Sequence, residues 1–460
     1  MFINYVNPWW TGRLEEDPDY SKWVRRKVKW IPRAVSTILN SIRESGVHLN
    51  LIVGPRQVGK TTGIKIAVSR LLNKIEARRI FYYRCDLVAD YKELLEVIQS
   101  YLRLTEVWGI RGFKVVFLDE VNLVNDWWRA IKFLIDTGIL KNINLFLTGS
   151  TSMKLLRETE RFPGRRGFGV DIFFPPLSFE EYLQLANSRL YSEIEYTLSK
   201  TQTRDLYEAL EACVFLEPYL HEVNRVFLEY LNCGGYPLSV LEYFGEERGA
   251  TESFLSSIRY DIERAGRNIG VFKDIVTYLL QATTSPISLD KIAREAGVSK
   301  TTSQEYLQLA SDLFLLNTLK HIDPYRLQPI PRKERKYYFT DPFIYKVFSQ
   351  WCNTLVKREH IVEATAIAHL LRTLTPENTY KTAAYYWRNK TEVDLIIRTQ
   401  EKAYGFEVTW SPLKKTALTV GRIKDIILLD REELNPNKRK VPLTLFLLTI
   451  GIKNLKLTSS

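Results

Sequence analysis

The 460-residue chain contains only four cysteines, five histidines and two methionines. The cysteines, Cys85, Cys213, Cys233 and Cys352, are widely separated, and none belongs to a C-x-x-C pair. Scattered cysteines without clustered histidines argue against a zinc site and against a disulfide framework. This cysteine usage is typical of a cytosolic chain.

Long apolar runs are also missing. No stretch approaches the roughly 18 apolar residues of a membrane-spanning helix, and residues 1–21 lack the apolar core of a secretory signal. We therefore expect a cytoplasmic protein with no membrane partner. Little methionine and glutamine beside abundant arginine, lysine, tyrosine and isoleucine is a composition typical of a thermophile.

Acidic residues are fewer than basic ones, 53 against 65, and the net charge is +12. Such an excess favours a polyanionic partner, nucleic acid before a membrane surface, although a generally basic proteome would have the same effect. Hydrophobic residues make up 45% of the chain, which is typical of a globular protein. The length predicts about three domains of ~150 residues each.

The most informative stretch is residues 49–62. An apolar run of strand length leads into the pattern G-x-x-x-x-G-K-[ST], which is the phosphate-binding loop. Glycines let backbone N–H groups surround phosphate oxygens, Lys60 would reach the β- and γ-phosphates, and Thr61 would hold Mg²⁺. A helix expected over residues 59–73 would point its positive end at the phosphates. The residues predicted to bind ATP are Gly54, Pro55, Arg56, Gln57, Val58, Gly59, Lys60, Thr61 and Thr62.

Two further apolar strands end in polar side chains that suit nucleotide hydrolysis. Asp119 lies 59 residues after Lys60 and would hold the waters of Mg²⁺, while Glu120 would polarise the attacking water. Thr148, after residues 144–147, suits a sensor of the γ-phosphate. Arg165 and Arg166 lie in a Gly/Arg-rich loop and could neutralise charge in the transition state, in cis or across a subunit interface. A solvated loop is the alternative.

The alternation of strands and helices indicates the fold of the core, whereas the region before it is less distinctive. Strand–helix alternation over residues 49–174 predicts a parallel sheet flanked by helices, an α/β fold. Before it, six basic residues between Lys22 and Arg33 are interleaved with tryptophans. They indicate either contact with a phosphate backbone or a surface helix packed on the ATPase.

Residues 288–307 predict a helix, a tight turn at Gly297 and a second helix capped by Ser299. With residues 313–316 and 336–339 as a wing, this pattern is typical of a winged helix, which serves either DNA or protein binding. The side chains that would face a DNA groove are Lys300, Thr301, Thr302 and Gln304.

Residues 324–336 are rich in proline and charge, which indicates a linker. Several apolar runs beyond it predict strands: residues 384–387, 392–397, 403–409 and 443–449. Asp394 and Glu407 lie on neighbouring predicted strands, and Glu363 lies on the helix before them. Three such carboxylates could bind a divalent metal for phosphodiester hydrolysis.

Several of these motifs occur together in an order that resembles the archaeal-type AAA+ ATPases. They are residues 54–62, Asp119-Glu120, Thr148-Gly149-Ser150, Gly164-Arg165, residues 176–180 and residues 234–237. The resemblance implies an ATPase with Mg²⁺ and ATP as cofactors, Thr148 as its sensor and Arg165 as the first arginine to test. It also implies a homo-oligomer, of which a hexameric ring is one form.

The C-terminal part resembles the PD-(D/E)xK nuclease fold. Asp394 matches the first acid, Glu407 the second and Val408 the spacer, but Thr409 stands where that pattern has lysine. Lys414 or Lys415 would have to supply the missing ammonium. We therefore expect a non-cleaving module for DNA binding or docking rather than a nuclease.

These inferences divide the chain into five segments. They are an N-terminal basic and aromatic extension (1–46), a P-loop AAA+ ATPase core (47–179), a helical lid (180–268), a winged helix-turn-helix (269–335) and an α/β nuclease-like domain (336–460). Our hypothesis is an ATPase that couples hydrolysis to remodelling of, or translocation on, DNA, including branched DNA in repair or recombination. The alternatives are a switch of the STAND type acting on a protein partner, and a metal-dependent DNA nuclease regulated by ATP.

Overall fold

The computed structural model describes residues 5–149, 155–156, 158, 163–375, 383–389, 391–399, 402–411 and 419–457. The chain forms two compact units, Met1–Pro175 and Pro176–Ser460. Each contains helices and a sheet, so the predicted α/β class, with a parallel sheet followed by a C-terminal sheet domain, is confirmed. The finer division into five segments stays a prediction.

The first unit alternates helices and strands as the sequence predicts. Its helices are Pro18–Arg25 (α1), Arg33–Asn40 (α2), Lys60–Leu71 (α3), Tyr91–Val107 (α4) and Trp127–Asp136 (α5). Its strands are Val47–Val53 (β1), Ile80–Arg84 (β2), Lys114–Asp119 (β3), Ile143–Thr148 (β4) and Asp171–Phe173 (β5).

The five strands form one parallel sheet in the order β2-β3-β4-β1-β5. Strands β1, β3 and β4 are almost continuously buried, as expected for a parallel sheet with both faces covered by helices. Parallel strands bring their carboxyl ends to the same edge of the sheet. Asp119 and Thr148 end neighbouring strands there, beside the loop that leaves β1 at Val53.

The N-terminal segment covers the outer edge of β2. Asn7 Nδ2 donates to Tyr82 O at 3.1 Å and Tyr82 N donates to Asn7 Oδ1 at 2.7 Å. The indole nitrogens of Trp9 and Trp10 both donate to Ile80 O, at 3.1 and 2.8 Å. An uncovered edge strand would expose these backbone groups, so the segment completes the sheet. In the basic stretch between Lys22 and Arg33, Trp23 Nε1 donates to Trp30 O at 3.2 Å, and both interpretations of that stretch stay predictions.

The second unit is longer and mostly helical before its sheet. Its helices are Phe179–Ala186 (α6), Ser188–Ser199 (α7), Leu206–Ala212 (α8), Leu220–Cys233 (α9), Pro237–Tyr243 (α10), Ala250–Arg264 (α11), Ile269–Gln281 (α12), Leu289–Glu295 (α13), Lys300–Asp312 (α14), Pro342–Cys352 (α15), Arg358–Leu374 (α16) and Leu443–Ile452 (α17). Its strands are Leu316–Asp323 (β6), Gln328–Pro329 (β7), Arg335–Phe339 (β8), Ala384–Arg388 (β9), Glu392–Arg398 (β10), Ala403–Val408 (β11), Asp425–Asp430 (β12) and Lys440–Pro442 (β13).

Helices α13 and α14 form the predicted helix–turn–helix. Gly297 has a φ of 63°, in the left-handed region that glycine adopts without strain. The Ser299 hydroxyl accepts from Thr302 N at 3.0 Å, which caps α14 as expected. The following strands β6 and β8 pair antiparallel. That this arrangement is a winged helix stays a prediction.

The expectation of a linker over residues 324–336 holds only in part, because residues 328–329 and 335–336 belong to strands. β7 and β8 both pair antiparallel with β6, while β6 also runs parallel to β9. The sheet therefore continues from β6 through β9, β10, β11 and β12 to β13. Proline and charged residues occur both in linkers and at the edges of sheets, so composition alone did not distinguish the two. The predicted boundary between residues 335 and 336 falls within β8.

The predicted strand over residues 443–449 is also wrong, since these residues belong to helix α17. Residues 443–451 are all buried, so the helix has no polar face to reveal a 3.6-residue period. A continuous apolar run is compatible with a buried strand and with a buried helix alike. Across the described ranges, no helix combines the length and the hydrophobicity needed to cross a membrane.

We predict that Asn7→Ala destabilises the first unit by about 2–6 kcal/mol. The substitution leaves the buried N–H and C=O of Tyr82 without their partner, at about 1–3 kcal/mol for each lost group. Urea denaturation followed by tryptophan fluorescence measures the change. Thr11→Ala, which removes an exposed hydrogen bond to Pro8 O in the same segment, is the matched control. Equal stability of the two variants would contradict the edge-covering role.

Candidate nucleotide-binding site

The phosphate-binding loop joins β1 to α3 and depends on backbone geometry that its sequence allows. A Cβ on Gly54 would lie 2.1 Å from Phe174 O, so no larger residue fits there. Gly59, at the N-terminus of α3, has a φ of 86°, and Gln57 has a φ of 60°. Left-handed residues turn successive N–H groups toward one side, which makes a concave binding surface for anions.

Lys60 is buried in this loop rather than extended into solvent. Its Nζ donates to Gly54 O at 2.9 Å and to Pro55 O at 2.7 Å. The ammonium therefore lies at the concave side of the loop, next to the first turn of α3. Positive charge and a helix N-terminus both favour a phosphate at this point.

Asp119 is the centre of the hydrogen bonds at the sheet edge. Its Oδ2 accepts from Thr61 Oγ1 at 2.7 Å and from Tyr82 OH at 3.0 Å, while its Oδ1 accepts from Thr148 Oγ1. The side chain is 1% exposed. Three hydroxyl donors hold the carboxylate in one orientation.

Thr148, the predicted sensor, contacts both Asp119 and Glu120. Besides donating to Asp119, its hydroxyl accepts from Glu120 N at 3.1 Å. Glu120 has a φ of 56°, a left-handed conformation that is uncommon for a residue with a side chain. Such strain is retained where surrounding contacts determine the backbone, and it often marks functional sites. Thr148 thus positions both acids, and its contact with a γ-phosphate stays a prediction.

The oxygen atoms present here fit a magnesium ion. Mg²⁺ binds carboxylate and hydroxyl oxygens and keeps several of its waters when it is held beside phosphates. Thr61 Oγ1 and Asp119 Oδ2, already 2.7 Å apart, are the two protein groups suited to that role. The structure thereby brings together the loop, Lys60, Thr61 and Asp119 as predicted, with Glu120 adjacent.

Behind Asp119, its donor Tyr82 packs against Lys65, which in turn pairs with Asp17; the sequence analysis did not single out these three residues. Lys65 Nζ lies 2.9 Å from Asp17 Oδ2 and 3.1 Å from the centroid of the Tyr82 ring. Burial lowers the pKa of Lys65, and the Asp17 carboxylate opposes that shift. Burial, together with the charge of Asp119, raises the pKa of Tyr82 well above its ordinary value, so its hydroxyl remains a donor. No sequence pattern links residues 17, 65, 82 and 119, because only the sheet brings them together.

The two candidate arginines have different surroundings. Arg165 pairs with Asp136, with Nε 2.6 Å from Oδ1, at an exposed position. Arg166 is partly buried, with Nη2 2.5 Å from Asp171 Oδ1 and Nε donating to Leu49 O. Arg166 therefore ties β1 to β5, which leaves Arg165 as the better placed to reach another molecule. Residues 159–162 of this loop lie outside the described residues.

The DNA-contact candidates lie at the start of α14. Lys300, Thr301 and Gln304 are exposed, and Thr302 is partly buried. Lys300 pairs with Asp290 at 2.7 Å, and both side chains are more than half exposed. The exposed surface of α14 thus presents the predicted side chains, while their contact with DNA stays a prediction.

The predicted metal-binding acids of the second unit are near one another but already hold a cation. Lys336 Nζ lies 2.9 Å from Asp394 Oδ1 and 3.4 Å from Glu363 Oε1. Glu407 is buried one residue before Val408, whose N–H donates to Asp394 Oδ2 at 3.0 Å. In the part of the chain that the structure describes, no group of three or more acidic, histidine or cysteine side chains is arranged to hold a metal ion. Lys414 and Lys415 lie outside the described residues.

We predict that Tyr82→Phe raises the Mg²⁺ concentration needed for half-maximal ATP turnover by about tenfold. The ring that faces Lys65 is kept, but Asp119 loses a donor that orients it, and such outer contacts typically change metal affinity 10- to 100-fold. Mg²⁺ titration of the ATPase rate measures this. Tyr101→Phe, which removes another buried hydroxyl bonded to Arg78 O, is the control. Identical Mg²⁺ curves for Tyr82→Phe and wild type would exclude the positioning role.

The comparisons with known families match two parts of the chain. Residues 47–183 match a family described as an AAA domain, and residues 224–354 match a domain of unknown function. The first match covers strands β1 to β5, the phosphate-binding loop, Asp119 and Glu120. It supports the predicted P-loop ATPase fold of the AAA type for the first unit.

The relatives are archaeal and themselves uncharacterised. One protein of Methanocaldococcus jannaschii is 24% identical over 372 residues, which is 77% of this chain and 73% of its own. A second from the same organism is 28% identical over 197 residues, 42% of this chain and 39% of its own.

Similar solved structures include two archaeal proteins. The ORC2 protein of Aeropyrum pernix, in its ADPNP and ADP complexes, covers 70% of this chain and 96% of its own, with 13% identity and a TM-score of 0.37. A Walker-type ATPase of Pyrococcus abyssi covers 69% of this chain and 93% of its own, with 14% identity and the same TM-score. Scores this low carry no functional argument.

Proposed function

We propose that this protein is a Mg²⁺-dependent ATPase that binds DNA and couples ATP hydrolysis to remodelling of, or translocation on, DNA. One observation carries the ATPase part of the proposal. The Thr61 hydroxyl lies 2.7 Å from Asp119, directly beside the buried Lys60 and the glycine-rich loop. A loop that merely ended a strand would not need these groups in one place.

Each group has a distinct role in this proposal. Lys60 and the loop N–H groups bind the β- and γ-phosphates, and Thr61 with Asp119 holds the metal and its waters. When bound, the metal neutralises charge on the phosphate oxygens. Glu120 orients and deprotonates the attacking water, since its backbone is held beside Asp119 by Thr148.

Arg165 gives a reason to expect an oligomer. Its pair with Asp136 is exposed, and solvent screens exposed ion pairs, so little opposes its transfer to another acceptor. In a ring of subunits, a hexamer for example, Arg165 would complete a neighbouring site as an arginine finger does.

The DNA part of the proposal depends on charge and exposed side chains. The chain carries a net charge of +12, and α14 exposes Lys300, Thr301 and Gln304. The N-terminal stretch adds exposed basic residues: Lys22, Arg25, Lys27, Lys29 and Arg33. A polyanion that contacts such surfaces releases counterions, which makes binding depend steeply on salt.

We predict that Glu120→Gln keeps ATP affinity but lowers the turnover rate by at least about 100-fold, because the amide cannot accept the proton of water. Lys60→Ala is the contrasting variant, since it should lose ATP binding itself. Fluorescent-nucleotide titration and phosphate release measure the two properties. Unimpaired turnover in Glu120→Gln would reject Glu120 as the base, and retained affinity in Lys60→Ala would reject the site.

We predict that Lys300→Glu weakens duplex DNA binding about tenfold and lowers the slope of log affinity against log salt by about one. Lys200→Glu, a charge reversal at another exposed helix end, is the control and should have little effect. Fluorescence anisotropy across a salt series measures both. A flat salt response in the wild type would count against binding through the basic surfaces.

The ATPase rate measured with single-stranded, duplex and four-way DNA tests the coupling between the two parts. Stimulation by one of these structures supports a DNA-driven motor and identifies its substrate. A slow rate that is indifferent to all three would instead favour the nucleotide-controlled switch acting on a protein partner.

A further inference from the structure

A buried lysine lies among three carboxylates in the second unit. Lys336, on β8, has a side chain that is 1% exposed. Its Nζ lies 2.6 Å from Glu392 Oε1, 2.9 Å from Asp394 Oδ1 and 3.4 Å from Glu363 Oε1. Glu392 and Asp394 are on β10 and Glu363 is on α16, so three elements meet at this ammonium.

Further contacts hold the carboxylates around Lys336 in place. Tyr338 OH donates to Glu363 Oε1 at 2.6 Å, and Val408 N donates to Asp394 Oδ2 at 3.0 Å. The rings of Tyr338 and Tyr386 lie 5.9 and 5.7 Å from Lys336 Nζ, which is within the range of a cation–π contact. The cluster is therefore built around the Lys336 ammonium, and Arg388 Nε adds a second positive charge 3.8 Å from Glu392 Oε2.

The electrostatics agree with that geometry. Burial disfavours the charged lysine, but the carboxylates outweigh it and raise the pKa of Lys336 above its ordinary value. Burial and the neighbouring charge of Asp394 raise the pKa of Glu363 to about 8. Three ionised carboxylates would exceed the charges of the Lys336 ammonium and the Arg388 guanidinium by one. A divalent cation in place of the ammonium would balance them better.

We propose that Lys336 is a built-in counter-ion that occupies the position of a divalent cation among Glu363, Glu392 and Asp394, and that its removal converts the cluster into a cation-binding site. Carboxylate oxygens are the ligands that Mg²⁺ and Mn²⁺ prefer. A metal could enter the wild type only by displacing a lysine that β8 holds through its pairing with β6. The C-terminal sheet is thus closed to metal-dependent cleavage, although it retains acids in the nuclease-like order.

All of these residues belong to the second unit, so the inference does not depend on the proposed ATPase. The first test compares wild type with Asp394→Asn in nucleotide-free buffer. Equilibrium dialysis should detect the same number of bound Mn²⁺ ions in both, and neither should nick supercoiled DNA in Mn²⁺. One additional Mn²⁺ in the wild type, or nicking that Asp394→Asn abolishes, would overturn the proposal. This comparison does not require a folded lysine variant.

The second test uses Lys336→Met, which keeps the length of the side chain and removes its charge. We predict a lower Tm than wild type without metal, because three carboxylates lose their counter-ion. One additional bound Mn²⁺ and a rise in Tm of several degrees should follow on adding 1 mM Mn²⁺, since a ligand that binds only the folded state stabilises it. Lys336→Met/Asp394→Asn is the control and should lose both responses. Absence of Mn²⁺ binding by the folded Lys336→Met protein would contradict the proposal.

Discussion

The hydrogen bonds to Asp119 are the interaction on which the first unit depends. A carboxylate that is 1% exposed is costly to bury, and the three hydroxyls of Thr61, Tyr82 and Thr148 offset that cost. Each hydroxyl comes from a different element: the first turn of α3, the edge strand β2 and the neighbouring strand β4. The same carboxylate therefore joins the phosphate loop, the sheet and, through Tyr82 and Lys65, the N-terminal segment.

That connection gives the N-terminal segment a physical role. Asn7 and Trp9 bind the backbone of β2, and Asp17 neutralises the buried Lys65 that lies against Tyr82. The position of Tyr82, and hence one donor to Asp119, depends on residues more than 60 positions earlier in the chain. A disturbance of this segment would thus reach the proposed metal site through packed side chains rather than by direct contact.

The second unit also buries carboxylates, but a charged side chain rather than hydroxyl donors stabilises them. Glu363, Glu392 and Asp394 share one buried lysine, whereas Asp119 is held by neutral hydroxyls. Hydroxyl donors leave the negative charge of Asp119 for a cation to neutralise, whereas the Lys336 ammonium already neutralises part of the charge of the second group. The two acidic groups of this protein therefore differ in what they can bind, even though their residues are of the same type.

The amino-acid sequence by itself determined the phosphate loop, the strands that lead to Asp119 and Thr148, and the cap at Ser299, because each is a local pattern of spacing and polarity. It did not distinguish a strand from a helix over residues 443–449, since a fully buried element shows no periodicity. Only the tertiary structure decided that Tyr82 supports Asp119 and that Lys336 lies among Glu363, Glu392 and Asp394. Both contacts join residues that lie far apart in the chain, and their distances depend on strand order and register, which no local pattern encodes.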